Sequence, residues 1–323
     1  MSNSFVGFEK QQLVRCRILA ELFRRRLPGT GGWSHCGAQC GIEPTSLALL
    51  ALYSYPSGST ATRGELAPLL AFQQPNGLWP AVGDRAADVS FWASALAVNT
   101  LMTLGATQQT VGASLNALVH CRPREASWLV RLKFWLSDRQ VRFDPRKYGR
   151  PWVPDTVSWV LPTSMALITL ERAKRRGWFC SREVENRLRL GAEMLLNRAC
   201  PEGGWNAGIA VVYGVPFRPH IDATALALAA LRLHYRWPIV HNSLTWILDR
   251  IECPSAYSLP WVILAAAAYK DVRADVSPAI DIARNRLAAV GIDPKSVEDT
   301  STIALAALAL GPGGANNPFE VKV

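Results

Sequence analysis

One arrangement recurs along this chain and constrains its fold more than any other feature: an amphipathic segment, a loop of Gly, Pro and Trp, and a run of Ala and Leu opened by an acid and a Thr or Ser. The loops read GTGGW (Gly29 to Trp33), PNGLW (Pro75 to Trp79), GRPW (Gly149 to Trp152) and PEGGW (Pro201 to Trp205). The runs after them open near Ile42, Ala87, Pro154, His220 and Val297, and a sixth, from Ser255, has the same character without the acid. Units that cannot bury an apolar face alone must stack on their neighbours, so a period of this kind dictates the architecture.

Each run is preceded by an amphipathic segment, at roughly 9–26, 62–73, 109–119, 182–198, 239–251 and 277–290. Leu188 to Arg198 keeps its charges on one side and faces water there, whereas Ala223 to Leu231 is apolar or small all round and must be buried all round. Six fully buried helices alternating with six half-exposed ones are satisfied by two concentric rings. A linear solenoid would not need one helix of each pair to be apolar on every side. The expectation is an all-α chain, an α6/α6 toroid that uses residues 1–323 as one domain.

With 323 residues and 49% hydrophobic content the chain buries a sizeable core. The N-terminus lacks the apolar centre of a signal peptide, and the longest apolar run, Leu259 to Tyr269, is too short to span a bilayer, which points to the cytoplasm. Seven cysteines without a regular framework fit a reducing compartment. The net charge of +10 comes from two stretches: nine Lys/Arg against three acids from Cys121 to Arg150, and eight against four from Glu171 to Arg198. Such a basic flank is either a solvated face or an attraction to an anionic membrane surface or a phosphorylated substrate. No nucleic-acid motif accompanies it.

Gln73, Gly77 and Trp79 match the Q-x-x-x-G-x-W motif of the squalene–hopene and oxidosqualene cyclases, and Gly203 and Trp205 keep its second half, with Ala199 in the place of the Gln. The chain therefore resembles a short, single-domain prenyltransferase/squalene-cyclase repeat protein. Physically the motif is scaffold: the Gly permits a turn, the Trp covers the end of the ring, and the Gln amide bonds backbone groups at helix ends. The same resemblance directs attention to His220-Ile221-Asp222-Ala223-Thr224-Ala225. Class II terpene cyclases carry D-x-D-D-T-A at the start of an inner helix, and alignment on the Thr-Ala puts Asp222 on the proton-donating position, with His220 replacing the first acid and Ala223 the last. Such an acid needs neighbours that stabilise the carboxylate it leaves, and His220 and Cys253 are the candidates. The competing reading is structural. Glu43, Asp88, Asp155 and Asp299 also stand where inner helices open, and an acid before Thr or Ser is what capping and the helix dipole favour.

Phe91, Trp92, Trp159, Tyr257 and Trp261 fall on predicted inner helices and Trp152 just before one; they either line a cavity that stabilises a cation or are simple core. The Ala-rich inner helices leave room for an apolar axial pocket whose natural occupant is an isoprenoid or another lipid-like molecule. Cyclisation or isomerisation of an isoprenoid by protonation, without a cofactor, is the activity this implies. Two alternatives stand beside it. One is a non-catalytic toroid that binds a lipid or a protein. The other is zinc-dependent prenyl transfer, with His35, Cys36 and Cys40 joined by His120/Cys121 or Cys253.

Overall fold

The computed structural model describes residues 2–53, 61–137, 143–252, 255–289, 297, 299–311 and 317–322. Thirteen α-helices occur among them: α1 (Ser2–Arg24), α2 (Ile42–Tyr53), α3 (Arg63–Leu70), α4 (Phe91–Thr103), α5 (Gln108–His120), α6 (Trp128–Ser137), α7 (Val160–Arg175), α8 (Arg182–Asn197), α9 (Ile221–Ala230), α10 (Pro238–Leu248), α11 (Ser258–Ala267), α12 (Val276–Ala289) and α13 (Thr300–Ala309). Helices α2, α4, α7, α9, α11 and α13 pack in that order and α13 returns to α2, so the inner ring is closed. Helices α3, α5, α8, α10, α12 and α1 pack outside α2, α4, α7, α9, α11 and α13 respectively. The two expected layers are therefore present. Their composition explains the sorting: α13 is buried along its whole length, whereas α8 buries one side and turns Glu183, Glu185 and Arg189 outward. Helix α6 belongs to neither ring. It lies in the basic stretch from Cys121 to Arg150 and packs on a 3-10 turn, Arg124–Ala126.

Each of four outer-to-inner connections is locked by the same clamp. The backbone N–H groups of Trp33, Trp79, Arg150 and Trp205 donate to the hydroxyls of Thr45, Ser94, Thr163 and Thr224, at 3.0, 2.8, 2.8 and 2.9 Å. Their carbonyls accept the N–H groups of Gly41, Ser90, Trp159 and His220, four residues before each hydroxyl, at 2.7, 2.8, 3.0 and 2.8 Å. Three of the four side chains also cap the preceding outer helix. The indole N–H groups of Trp33, Trp79 and Trp205 donate to the carbonyls of Leu22, Leu69 and Leu195 in the last turns of α1, α3 and α8, satisfying acceptors that a helix end leaves open. In the second loop Gly77 takes a φ of +82°, and its carbonyl and the Ser114 hydroxyl accept from the Gln73 amide, which ties the loop to α5.

This register corrects one reading of the repeat. The third loop places Arg150, not Trp152, in the tryptophan position. Arg187 takes over the missing cap, donating to the carbonyls of Val119 and Cys121 at the end of α5.

The opposite end of the ring is sealed by cations and by segment 317–322. Arg15 and Arg284 donate to carbonyls closing α13, Arg176 to Met102 at the end of α4 and Arg232 to Ala268 at the end of α11, where the helix dipole is negative. Segment 317–322 then enters the ring between α4, α7 and α11. Asn99 and Arg172 both donate to the Pro318 carbonyl, Asn317 donates to Leu264, and Phe319 packs against Trp261 with centroids 4.8 Å apart. Because α4 and α11 lie opposite each other in the ring, a segment that touches both runs through its interior.

Candidate functional site at the mouth of the ring

The clamp hydroxyls give a common register for the N-terminal ends of the inner helices. Two residues before Thr45, Ser94, Thr163 and Thr224 stand Glu43, Trp92, Leu161 and Asp222. Glu43 and Trp92 meet directly: the indole N–H donates to Glu43 Oε2 at 2.8 Å. The Tyr257 hydroxyl, from the residue preceding α11, donates to Glu43 Oε1 at 3.5 Å. Helices α2 and α11 are separated by α13 in the ring, so this contact crosses part of the mouth.

Burial pushes the Glu43 carboxyl above the usual carboxylate range; the Trp92 hydrogen bond and the charge of His35 pull it back only in part. Tyr257 is driven upward by burial and by the charges of Glu43, Asp222 and Asp299, so its phenol keeps its proton and remains a donor. Asp299 behaves differently. Burial pushes it up, but hydrogen bonds from His35 and Thr302 outweigh that and hold it below the usual range. His35 is raised in return, chiefly by its 3.1 Å contact with Asp299. One carboxyl at this mouth is thus biased toward the acid form and another toward the carboxylate.

The groups are sorted by side. Asp222, Tyr257, Asp299 and Glu43 belong to or adjoin α9, α11, α13 and α2, four successive helices of the ring. The remaining arc, α4 and α7, presents aromatic rings. Trp92 and Trp152 lie with centroids 5.8 Å apart, and the N–H of Phe91 donates to the Trp152 carbonyl. Phe91 itself is core, and Trp261 forms a floor with Phe319. Trp159, the residue before α7, lines a cavity of about 450 Å³ between the third and fourth mouth loops, with Val157, Ile209, Val212, Phe217 and His220. The hairpin of β1 (Val211–Val212) and β2 (Val215–Pro216) forms one wall. At its back Arg198 pairs with buried Glu125 at 3.3 Å and donates to the Ser158 carbonyl.

The sequence-derived residues are therefore brought together in part. Trp92 and Tyr257 hydrogen-bond Glu43 and Trp152 packs on Trp92; Trp159 and His220 share the neighbouring cavity. Asp222 is half-buried and accepts no hydrogen bond from the described residues, unlike Asp299, which caps α13 through the N–H groups of Ser301 and Thr302. His220 is exposed and makes no side-chain cap, and Cys253 lies outside the described residues. Asp88 and Asp155 do not open helices. They sit at exposed positions before Ser90 and Trp159, the residues that precede α4 and α7, with Asp155 in a turn at a φ of +58°. The proposed zinc set is not assembled. His35 turns to Asp299 and Cys40 to Thr45, and among the described residues no three metal-binding side chains come together.

Sequence reasoning passed over Glu43 as the acid. A signal was present, since Glu43-Pro44-Thr45 repeats the acid-x-Thr spacing of Asp222-Ala223-Thr224. What the spacing did not reveal was which acid meets Trp92.

No protein-family model matches the chain, and no curated protein matches it in sequence. Solved structures resemble it in fold. The type II terpene cyclase MstE from Scytonema, in complex with its substrate geranylgeranyl dihydroxybenzoate, aligns with a TM-score of 0.59 and 14% identity, over 95% of this chain and 98% of that one. An α-1,6-mannanase of Salegentibacter, in complex with α-1,6-mannotetrose, aligns with a TM-score of 0.63 and 11% identity, over 93% and 97%. The cellobiose 2-epimerase of Spirochaeta thermophila gives 0.55 and 11%, over 93% and 96%. At such identities the likeness is one of fold. The chain is an α/α toroid, and these neighbours are enzymes of three different chemistries.

Proposed function

We propose that the mouth of the toroid binds an isoprenoid or similarly apolar molecule and initiates its cyclisation or isomerisation by protonation, with Glu43 as the acid. The observation that carries this reading is the environment of Glu43: a carboxyl driven toward its protonated form by burial, held by an indole N–H and a phenol, beside the Trp92 and Trp152 rings. A neutral carboxylic acid next to aromatic faces suits proton transfer to an alkene, because the rings stabilise the resulting cation by about 0.5–2 kcal/mol each. After transfer, the Trp92 and Tyr257 donors stabilise the carboxylate, the role first sought in His220 and Cys253. Asp222 stands at the equivalent position of the fourth repeat and places a second carboxyl at the same mouth. The apolar cavity beside Trp159 accommodates the chain of such a ligand. Arg198, neutralised by Glu125, holds no diphosphate in this reading.

The test is a panel of acyclic prenyl substrates incubated with wild type, Glu43→Gln, Asp222→Asn and Asp299→Asn, with products read by mass spectrometry. Glu43→Gln keeps the acceptor for Trp92 but has no proton to give, so turnover vanishes while substrate binding survives. Wild-type turnover falls as pH rises through the raised Glu43 value. Full activity in Glu43→Gln removes that residue from the mechanism, and activity lost only in Asp222→Asn returns the role to Asp222. A readout independent of activity follows from linkage. A carboxyl raised on folding contributes stability below its unfolded value and loses it as pH rises through the folded one. The melting temperature of Glu43→Gln relative to wild type therefore increases from acid to neutral pH.

A second reading is supported by the several carboxylates opposite tryptophan faces, a combination that also suits a sugar ring. Turnover of mannosides or cellobiose by wild type, with none of any prenyl substrate, would favour it.

A further inference from the structure

Most of the large apolar side chains left exposed outside α1 and α12 belong to segments around the mouth. On α6 they are Trp128, Leu129, Leu132 and Leu136, with Trp128 and Leu136 each 69% exposed. Positions i, i+1, i+4 and i+8 form one helix face, and that face points away from the ring. Tyr213, Val215 and Phe217 are exposed on and beside the hairpin, and Val153 on the third mouth loop. These segments adjoin one cavity. The N–H of Arg124 donates to Thr156 and that of Ser158 to the Glu125 carboxylate, which fixes the base of α6 to the loop whose Val157 and Ser158 line one wall; Val212 and Phe217 line another.

Cations outnumber acids around this apolar rim: Arg122, Arg124 and Lys133 are exposed beside α6 and Arg218 beside the hairpin, against Asp155 on the third mouth loop, while Arg146 is paired with Asp144. Other arginines of the basic stretches are spent inside the protein: Arg150, Arg187 and Arg198 are buried. We infer that the α6 face and the hairpin tip form a docking surface for an anionic lipid bilayer, seating the mouth against it. An interfacial helix requires an apolar face for the acyl boundary and cations for the headgroups, and the rim supplies both. A second copy of this chain is a poorer occupant, because it would bring the same cations face to face. No helix among the described residues is long and apolar enough to cross a membrane, so the contact is peripheral. The inference builds on the apolar-ligand reading only for its purpose, delivery of a lipid-soluble molecule to the mouth, and stands or falls separately from Glu43.

Sedimentation of the full chain with phosphatidylcholine vesicles, with and without phosphatidylserine, tests it. Binding is expected to vesicles containing phosphatidylserine and to weaken with salt. The surface variant Trp128→Ser/Leu132→Ser/Leu136→Ser is expected to keep its melting temperature and bind about tenfold more weakly. Arg124→Glu/Lys133→Glu is expected to abolish the preference for phosphatidylserine, and Glu43→Gln to bind as wild type does. Absence of wild-type binding, or undiminished binding by the serine variant, overturns the proposal. So does a wild-type dimer that the serine variant dissociates while vesicle binding is unaffected, which would assign the face to self-association.

Discussion

Arg150 occupies a position built for an indole. Its backbone makes both clamp bonds that Trp33, Trp79 and Trp205 make, yet its Nε and Nη2 are buried without hydrogen-bond partners, and burial together with the neighbouring Arg187 pulls its pKa down to about 9. Unpaired buried donors cost about 1–3 kcal/mol. Arg150→Trp is therefore expected to stabilise the protein by a similar amount, read as a higher midpoint in urea, and a lower midpoint would mean that the cation has a partner it needs. Position alone does not decide the behaviour of the carboxyls either. Asp299 sits where the N–H groups of Ser301 and Thr302 and the His35 ring satisfy it as an anion, whereas Glu43 meets one indole and one phenol in a desolvated mouth. Both were visible in the sequence as acids at helix starts. The difference between them lies in neighbours contributed by helices far away in the chain.

At the scale of the element, the outer-to-inner connection is a unit of one backbone hydrogen bond, one backbone-to-hydroxyl hydrogen bond and, in three of the four, one buried indole. Trp79→Ala removes a fully buried indole and the cap it gives α3, and is expected to destabilise by ~3–5 kcal/mol, measured by chemical denaturation. An unchanged midpoint would show that the ring is dispensable. The clamp also explains why two helix starts were read from sequence too early. Asp88 and Asp155 precede a Ser and a Thr, and acid followed by hydroxyl resembles an N-cap; Ser90 does cap α4, accepting the Ala93 N–H, but Thr156 donates back to the Val153 carbonyl, and the clamp hydroxyls Ser94 and Thr163 lie inside the first turns of α4 and α7. Periodicity located the inner helices to within a few residues. Helix α6 escaped it because its exposed side bears Trp and Leu, a pattern that in isolation signals burial.

At the scale of the molecule, closure of the ring leaves an axis that something must fill. The inner helices meet through Ala and Leu, and segment 317–322 occupies the end opposite the mouth, with Phe319 only 1% exposed. Phe319→Ala is expected to cost ~3–5 kcal/mol of stability, seen as a lower melting temperature, and to deepen the mouth so that a fluorescent apolar probe binds more tightly. Retained stability with unchanged probe binding would place the floor elsewhere. The arginines that close the helix ends belong to this scale as well. Arg15, Arg176, Arg187, Arg232 and Arg284 are bound to helix-end carbonyls, whereas Arg122 and Arg124 reach solvent beside α6.

The sequence by itself determined the six pairs, the buried or half-exposed character of each helix and, from these, the two concentric rings, because local periodicity and composition record how much of a helix must leave water. It also contained every residue of the mouth. Only the tertiary structure decided that Glu43 rather than Asp299 is biased toward the acid form, that Arg150 fills a tryptophan's place and that Phe319 floors the axis. Each of these depends on which side chains approach from other repeats, and burial, hydrogen bonding and charge act across distances in space that spacing along a chain does not encode.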